Sequence, residues 1–136
     1  MTTQASPETT LRTLFAHTDR MDWPALLEMV APSVRVRAGG HDLDRDGWRA
    51  MAKMFYAAFP DGKHEVLACI VQGDTVAARG VWRGTHRGDF QGVPATGRSV
   101  AIDFVSVERV VEGKVVEHHA QVDALSLMQQ IGALPG

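Results

Sequence analysis

Several features that announce a binding chemistry are scarce in this sequence. A single cysteine, Cys69, stands among 136 residues, so no intramolecular disulfide can form, as expected of a protein in a reducing cytoplasm. Charge of neither sign dominates. Fourteen Lys and Arg against 16 Asp and Glu give a formal net charge of −2, which lacks the basic footprint that nucleic acid or an anionic membrane surface requires. No uninterrupted apolar run nears the roughly 18 residues that span a bilayer, the best candidate being the short stretch from Val66 to Val71. The first ten residues are polar, without a basic start and an apolar stretch behind it, so no secretory signal is expected. Six histidines are present, yet no His-x-His, His-Glu-x-x-His or paired-cysteine spacing occurs, and no metal is expected. The glycine-rich stretches Gly39-Gly40 and Gly92 to Gly97 lack the strand-to-helix setting of a phosphate loop.

What is present is enough for one compact domain, residues 1–136, with one core. Ser6 before Pro7 signals a helix start, and Leu11, Leu14, Phe15 and Thr18 then share a face to about Arg20. Asp22, Trp23 and Pro24 repeat the signal for a short helix through Val30, ended by Pro32. Val34 and Val36 alternate with Arg35 and Arg37 in a half-buried strand, Ser33 to Ala38, broken by Gly39 and Gly40. Asp46 is the expected cap of a third, strongly amphipathic helix carrying Trp48, Met51, Ala52, Phe55 and Phe59, stopped by Pro60 and Gly62. From His64 the pattern turns to β. Glu65 to Gln72 and Thr75 to His86 form a hairpin around Gly73-Asp74. After a loop from Arg87 to Gly97, Arg98 to Val111 and Lys114 to Val122 form a longer hairpin around Glu112-Gly113. Asp123 caps a last helix in which Ala124, Leu127, Met128 and Ile131 face inward and Gly132 ends it. The class is α+β: a curved sheet, antiparallel or mixed, with the N-terminal helices over its concave face and a short C-terminal helix. A cavity between helices and sheet is the default ligand site.

The run from Gly84-Thr85-His86 through Phe90, Gly92, Pro94-Ala95-Thr96-Gly97-Arg98 resembles a characteristic segment of the SnoaL-like polyketide cyclases. Glu112-Gly113-Lys114, Glu117-His118, Asp123 and Gln130-Ile131-Gly132 continue the likeness, and Ala58-Phe59-Pro60-Asp61 and Gly73-Asp74 precede it. The resemblance implies the cone-shaped α+β barrel shared with ketosteroid isomerase and scytalone dehydratase, and a dimer. The family's aromatic polyketide cyclases use an aspartate and a histidine on the last two strands for an aldol closure. Carried over on the Gly-Lys and Glu-His anchors, these positions are Ala120 and Ser106, neither of which can transfer that proton. A superfold shared by isomerases, cyclases, dehydratases, hydrolases and binders does not by itself fix the reaction.

Candidate chemistry then rests on the last hairpin. A three-residue loop with a glycine bulge pairs Val111 with Val115 and places Phe104 opposite Val122, Ser106 opposite Ala120, Glu108 opposite His118 and Val110 opposite Val116 on one face. Because Ser106 and Ala120 occupy the family's catalytic places, this face is expected to line the pocket. Glu108 and His118 are its only titratable groups and are the candidate acid/base pair. The alternative is a cross-strand ion pair near the hairpin mouth that only sets register. His86 shares a face with Trp82 and Gly84; it is a candidate catalytic group at the pocket rim or an anchor for the glycine-rich loop. Phe55, Tyr56, Trp82, Phe104, Ser106, Ala120 and Val122 are the expected substrate-contacting residues. Arg79 and Arg83 are expected in solvent, Asp123 as a cap and Cys69, alternating with Leu67 and Val71, in the core.

The expected function is a cofactor-independent enzyme, a cyclase or isomerase, acting on a small, mostly apolar oxygenated molecule by proton transfer. A ligand-binding or accessory domain without turnover stands beside it, as does an epoxide hydrolase or cofactor-free hydroxylase on the same cavity. A homodimer is expected through the outward face of the last hairpin, where Val105, Val107 and Val111 lie among Asp103, Arg109, Glu117 and Gln121.

Overall fold

The computed structural model describes residues 5–135. Helix α1, Pro7–Asp19, begins where Ser6 accepts a hydrogen bond from the Thr9 amide with proline in the first turn, satisfying a donor the helix itself leaves free. Helix α2, Trp23–Glu28, is capped in the same way by Asp22. It ends before Val30, which instead opens strand β1, Val30–Ala38. Pro32 therefore lies within the strand, at an irregular stretch where β1 loses and then regains its pairing with β6. An absent N–H is tolerated at such a place.

Gly39 and Gly40 do not merely end β1. Both have positive φ, 59° and 79°, and they turn the chain into a short hairpin with strand β2, His41–Leu43, as a pair of glycines does in a tight two-residue turn. Helix α3, Arg45–Ala58, is capped by Asp44, whose side chain accepts from the Gly47 amide at 2.8 Å. Asp46, the expected cap, sits in the first turn, where its charge suits the helix dipole.

Strands β3, Lys63–Gln72, and β4, Thr75–Thr85, pair across Gly73-Asp74 with Gln72 opposite Thr75. The register slips between Val66 and Ala68. This bulge leaves Leu67 exposed and returns Cys69 to the inner face opposite Ala78, where it is half-buried against the core. Strands β5, Ser99–Val111, and β6, Lys114–Val122, show the expected register from Phe104 opposite Val122 to Arg109 opposite Glu117. Nearer the turn the expectation fails. Val110 faces Val115 and Val111 faces Lys114. Glu112 and Gly113 both take positive φ, 52° and 77°, which makes a two-residue turn, so the extra residue bulges at Val116 rather than in the loop. The shift puts Val115 and Val110 together in the core. Helix α4, Ala124–Gln130, is capped by Asp123 and followed by Gly132 at φ 83°.

The sheet order is β2-β1-β6-β5-β4-β3, with β1 parallel to β6 and every other neighbour antiparallel. The helices cover its inner face. Leu11, Phe15, Tyr56, Phe59, Trp82, Ile102, Phe104 and Leu127 form one apolar cluster, and Leu14, Leu26, Val34, Val36, Trp48 and Val115 form a second. Arg79 and Arg83 point outward into solvent. No helix among the described residues is long and apolar enough to cross a membrane.

Candidate active site

Between the two clusters lies a cavity of about 500 Å³. It is walled by Leu14 and Phe15 of α1, Trp48, Met51 and Phe55 of α3, and Trp82, Ile102 and Phe104 of the sheet. Exposed lining residues His41, Met54, Gln91 and Val122 mark its mouth. Polar groups are few and reach it from separate walls, which is the make-up of an orienting small-molecule site.

All seven expected contact residues, Phe55, Tyr56, Trp82, Phe104, Ser106, Ala120 and Val122, line this cavity, as does His118. The alternation of β5 and β6 puts Ser106, Glu108 and His118 on the inner face. Glu108 stands one layer behind the wall, wholly buried. Both its oxygens lie 2.7 Å from Nδ1 of His118, and it accepts the hydroxyl of Ser106. The pair is buried rather than solvated. A carboxylate that accepts from Ser106 and His118 fixes the imidazole proton on Nδ1. The ring is held flat against Trp48, centroids 4.1 Å apart and planes 19° from parallel. No hydrogen bond among the described residues engages its Nε2, which is not sealed away in the core either. That nitrogen is left for a ligand.

Ser106, which stands at the family's histidine position, has a partner of its own. Its hydroxyl is bound to Glu108, and a histidine at 106 would have to displace that contact.

His86 is elsewhere. It is wholly buried outside the cavity lining, stacked on Phe59 at 5.4 Å. Its Nδ1 meets the hydroxyl and amide of Thr96, and its backbone pairs with Arg98 and Gly97. This is the geometry of a loop anchor, with Nε2 lacking a partner among the described residues.

A second carboxylate–imidazole pair, which sequence patterns did not single out, reaches the cavity through His64. Asp19 accepts Nδ1–H of His64 at 2.7 Å, the His64 amide at 3.0 Å and the Tyr56 hydroxyl at 2.6 Å. Trp82 in turn donates to the Tyr56 oxygen at 3.1 Å. Burial and the adjacent Asp19 carboxylate push the Tyr56 phenol far above its ordinary range, so Tyr56 remains a donor. A signal did exist: Asp19 follows Leu11 and Phe15 at four-residue steps, an acid on the apolar face of α1. Its partner, 45 residues away, left none. Among the described residues no cluster of metal-ligating side chains is found.

Comparison with known proteins agrees with this architecture. Residues 8–131 match the sequence profile of the SnoaL-like polyketide cyclases. The aklanonic acid methyl ester cyclases DauD of Streptomyces sp. (strain C5) and DnrD of Streptomyces peucetius are each 30% identical over 83 residues, 61% of this chain. That stretch spans 52% and 57% of those proteins, so the chain matches little more than half their length. Among solved structures, AclR of Streptomyces galilaeus, described as a candidate hydroxylase, superposes with a TM-score of 0.87 at 28% identity, covering 95% of this chain and 97% of that one. IdmH of Streptomyces antibioticus, described as a candidate polyketide cyclase, gives 0.86 at 32% identity, covering 94% and 99%. On the profile match over most of its length, the chain belongs to the SnoaL-like polyketide cyclase family.

Proposed function

We propose that this protein is a cofactor-independent cyclase in which Glu108-oriented His118 does the proton transfer. One observation carries the reading: a buried carboxylate holds Nδ1 of His118 while Nε2 is left free beside an apolar cavity. In an intramolecular aldol closure, Nε2 takes the proton from the carbon that becomes the nucleophile. The electron pair of that C–H bond forms the new C–C bond to a ketone carbon, and the resulting alkoxide takes the proton back. The product is an isomer of the substrate, so no oxidant or reductant is consumed. Glu108 stabilises the transient imidazolium, as a carboxylate behind a catalytic histidine does. The apolar walls exclude water from the enolate.

Because the similar curated proteins are aklanonic acid methyl ester cyclases, that ester is the substrate to test. Wild-type protein is expected to convert it to a ring-closed isomer of unchanged mass, separable by liquid chromatography. Tight binding without conversion would favour an accessory binding domain, a reading to which Ala120 and Ser106 at the family's acid/base positions lend weight.

We further propose a homodimer formed through the outer face of the sheet. Val105 there is 51% exposed, flanked by Val107, Asp103 and Arg109, and a mixed strip of this kind suits a self-complementary contact. Sedimentation at micromolar concentration is expected to give twice the chain mass of 14.8 kDa; a monomeric mass would refute it.

A further inference from the structure

We infer that His64, held by Asp19, is a hydrogen-bond acceptor for a hydroxyl group at the end of an elongated, flat aromatic ligand remote from His118. This rests on the reading of the cavity as a polyketide site and adds what that ligand must carry.

Asp19 gathers three donors, and the Tyr56 hydrogen is committed to it because the Tyr56 oxygen is already receiving Trp82 Nε1–H. The shared proton of the His64–Asp19 contact therefore sits on Nδ1, and Nε2 keeps its lone pair. No hydrogen bond among the described residues uses that lone pair, and the atom is not sealed in the core. The ring is immobilised as well, stacked on Phe15 at 4.1 Å and 3° and meeting the Phe104 ring edge-on at 5.1 Å. A network of Trp82, Tyr56 and Asp19 that ends on an imidazole lining the cavity, with one nitrogen unused, is arranged to receive a donor.

The register fixes how far apart the two imidazoles stand. His118 lies opposite Glu108 of β5, whereas His64 lies opposite Trp82, which lies opposite Ile102. From Ile102 to Glu108 is ~20 Å along a flat strand, and from β6 to β3 is ~14 Å across. Both rings line one cavity, together with Phe104, Trp82 and Ile102, and the register sets them toward opposite ends of it. One small functional group cannot touch both. A ligand that does is several fused rings long, apolar in the middle, with oxygen at each end.

The test is binding rather than turnover, so a failure of catalysis leaves it readable. Quenching of tryptophan fluorescence, with Trp48 and Trp82 in the cavity wall, gives Kd values for 2-hydroxyanthraquinone and for unsubstituted anthraquinone. Wild type is expected to bind the hydroxylated probe about three- to tenfold more tightly, the effect of one added hydrogen bond. In His64→Phe, which keeps a ring on Phe15, the ratio should fall to about one, while in Glu108→Gln, at the other end, it should stay above one. Asp19→Asn retains the imidazole but no longer fixes its proton; it should narrow the ratio, and it decides the matter if His64→Phe does not fold. A wild-type ratio near one, a preference that survives in His64→Phe, an undiminished preference in Asp19→Asn, a preference lost only in Glu108→Gln, or no binding of either probe would overturn the inference.

Discussion

Glu108→Gln is expected to fold and to lose about a hundred- to ten-thousandfold in kcat on a substrate that wild type closes. The amide has the shape of the carboxylate and can still bond Ser106 and Nδ1 of His118, the two partners Glu108 has in the buried wall. What it lacks is the charge that stabilises the imidazolium, and it no longer obliges the proton to sit on Nδ1. With the amide N–H turned toward the ring, the proton moves to Nε2 and the base faces the wrong way. His118→Ala removes the base outright, but it also strips a wholly buried carboxylate of its main partner, which costs stability as well as rate. The conservative change therefore separates the two effects. The measurement is kcat for both proteins alongside their near-ultraviolet circular dichroism. Equal kcat in a folded variant would remove Glu108 from the mechanism.

Gly80→Ala is expected to be the most damaging single-methyl addition in the sheet. A Cβ built at Gly80 falls 2.0 Å from the carbonyl oxygen of Glu65 on β3 and 2.8 Å from the ring of Phe104. The first neighbour is backbone at the β3 bulge and cannot swing aside. The second is the residue opposite in the β4–β5 ladder, whose ring lies over the bare glycine and forms the cavity floor, an arrangement aromatic residues adopt across glycine in sheets. Overpacking of this kind costs about 3 kcal/mol or more, which for a domain of this length lowers Tm by roughly 10 °C. Thermal unfolding followed by circular dichroism measures it directly. A Tm within about 2 °C of wild type would contradict the close packing of Gly80 against Glu65 and Phe104.

Local signals carried most of the fold. Ser6, Asp22 and Asp123 cap the helices they were expected to cap; the alternation on β5 and β6 groups Phe104, Ser106, Glu108 and His118 on one face, and the resemblance at Ser106 and Ala120 is what points that face inward. Departures arose where backbone conformation, not side-chain pattern, decides. Glu112 entering the left-handed region converts an expected three-residue loop into a two-residue turn, and nothing in its side chain announces that. Gly39-Gly40 read as a break, yet a glycine pair also makes the tightest hairpin, and β2 follows it. Asp44 and Asp46 are equally good caps by residue type; the helix starts at the first of them. The site was legible in the same proportion. Contacts made across neighbouring strands, such as Glu108 with His118, follow from register. The Asp19–His64 pair needs the packing of α1 against β3, a long-range contact that no period in the sequence encodes. His86, embedded in the family-like segment, sits behind Phe59 and anchors the loop, while Phe90 and Gln91 of the same segment reach the cavity.

The central claim is that His118, oriented by Glu108, removes a proton from carbon. Deuterium wash-in tests it most directly. In D2O, unreacted aklanonic acid methyl ester recovered from incubation with wild type should carry deuterium at the carbon that becomes the nucleophile, read by mass spectrometry and NMR, because an imidazolium at Nε2 exchanges its proton with solvent and returns deuterium. Folded Glu108→Gln should lower that exchange toward the rate without protein. Exchange at the wild-type rate in Glu108→Gln would contradict the account and move the base to another side chain.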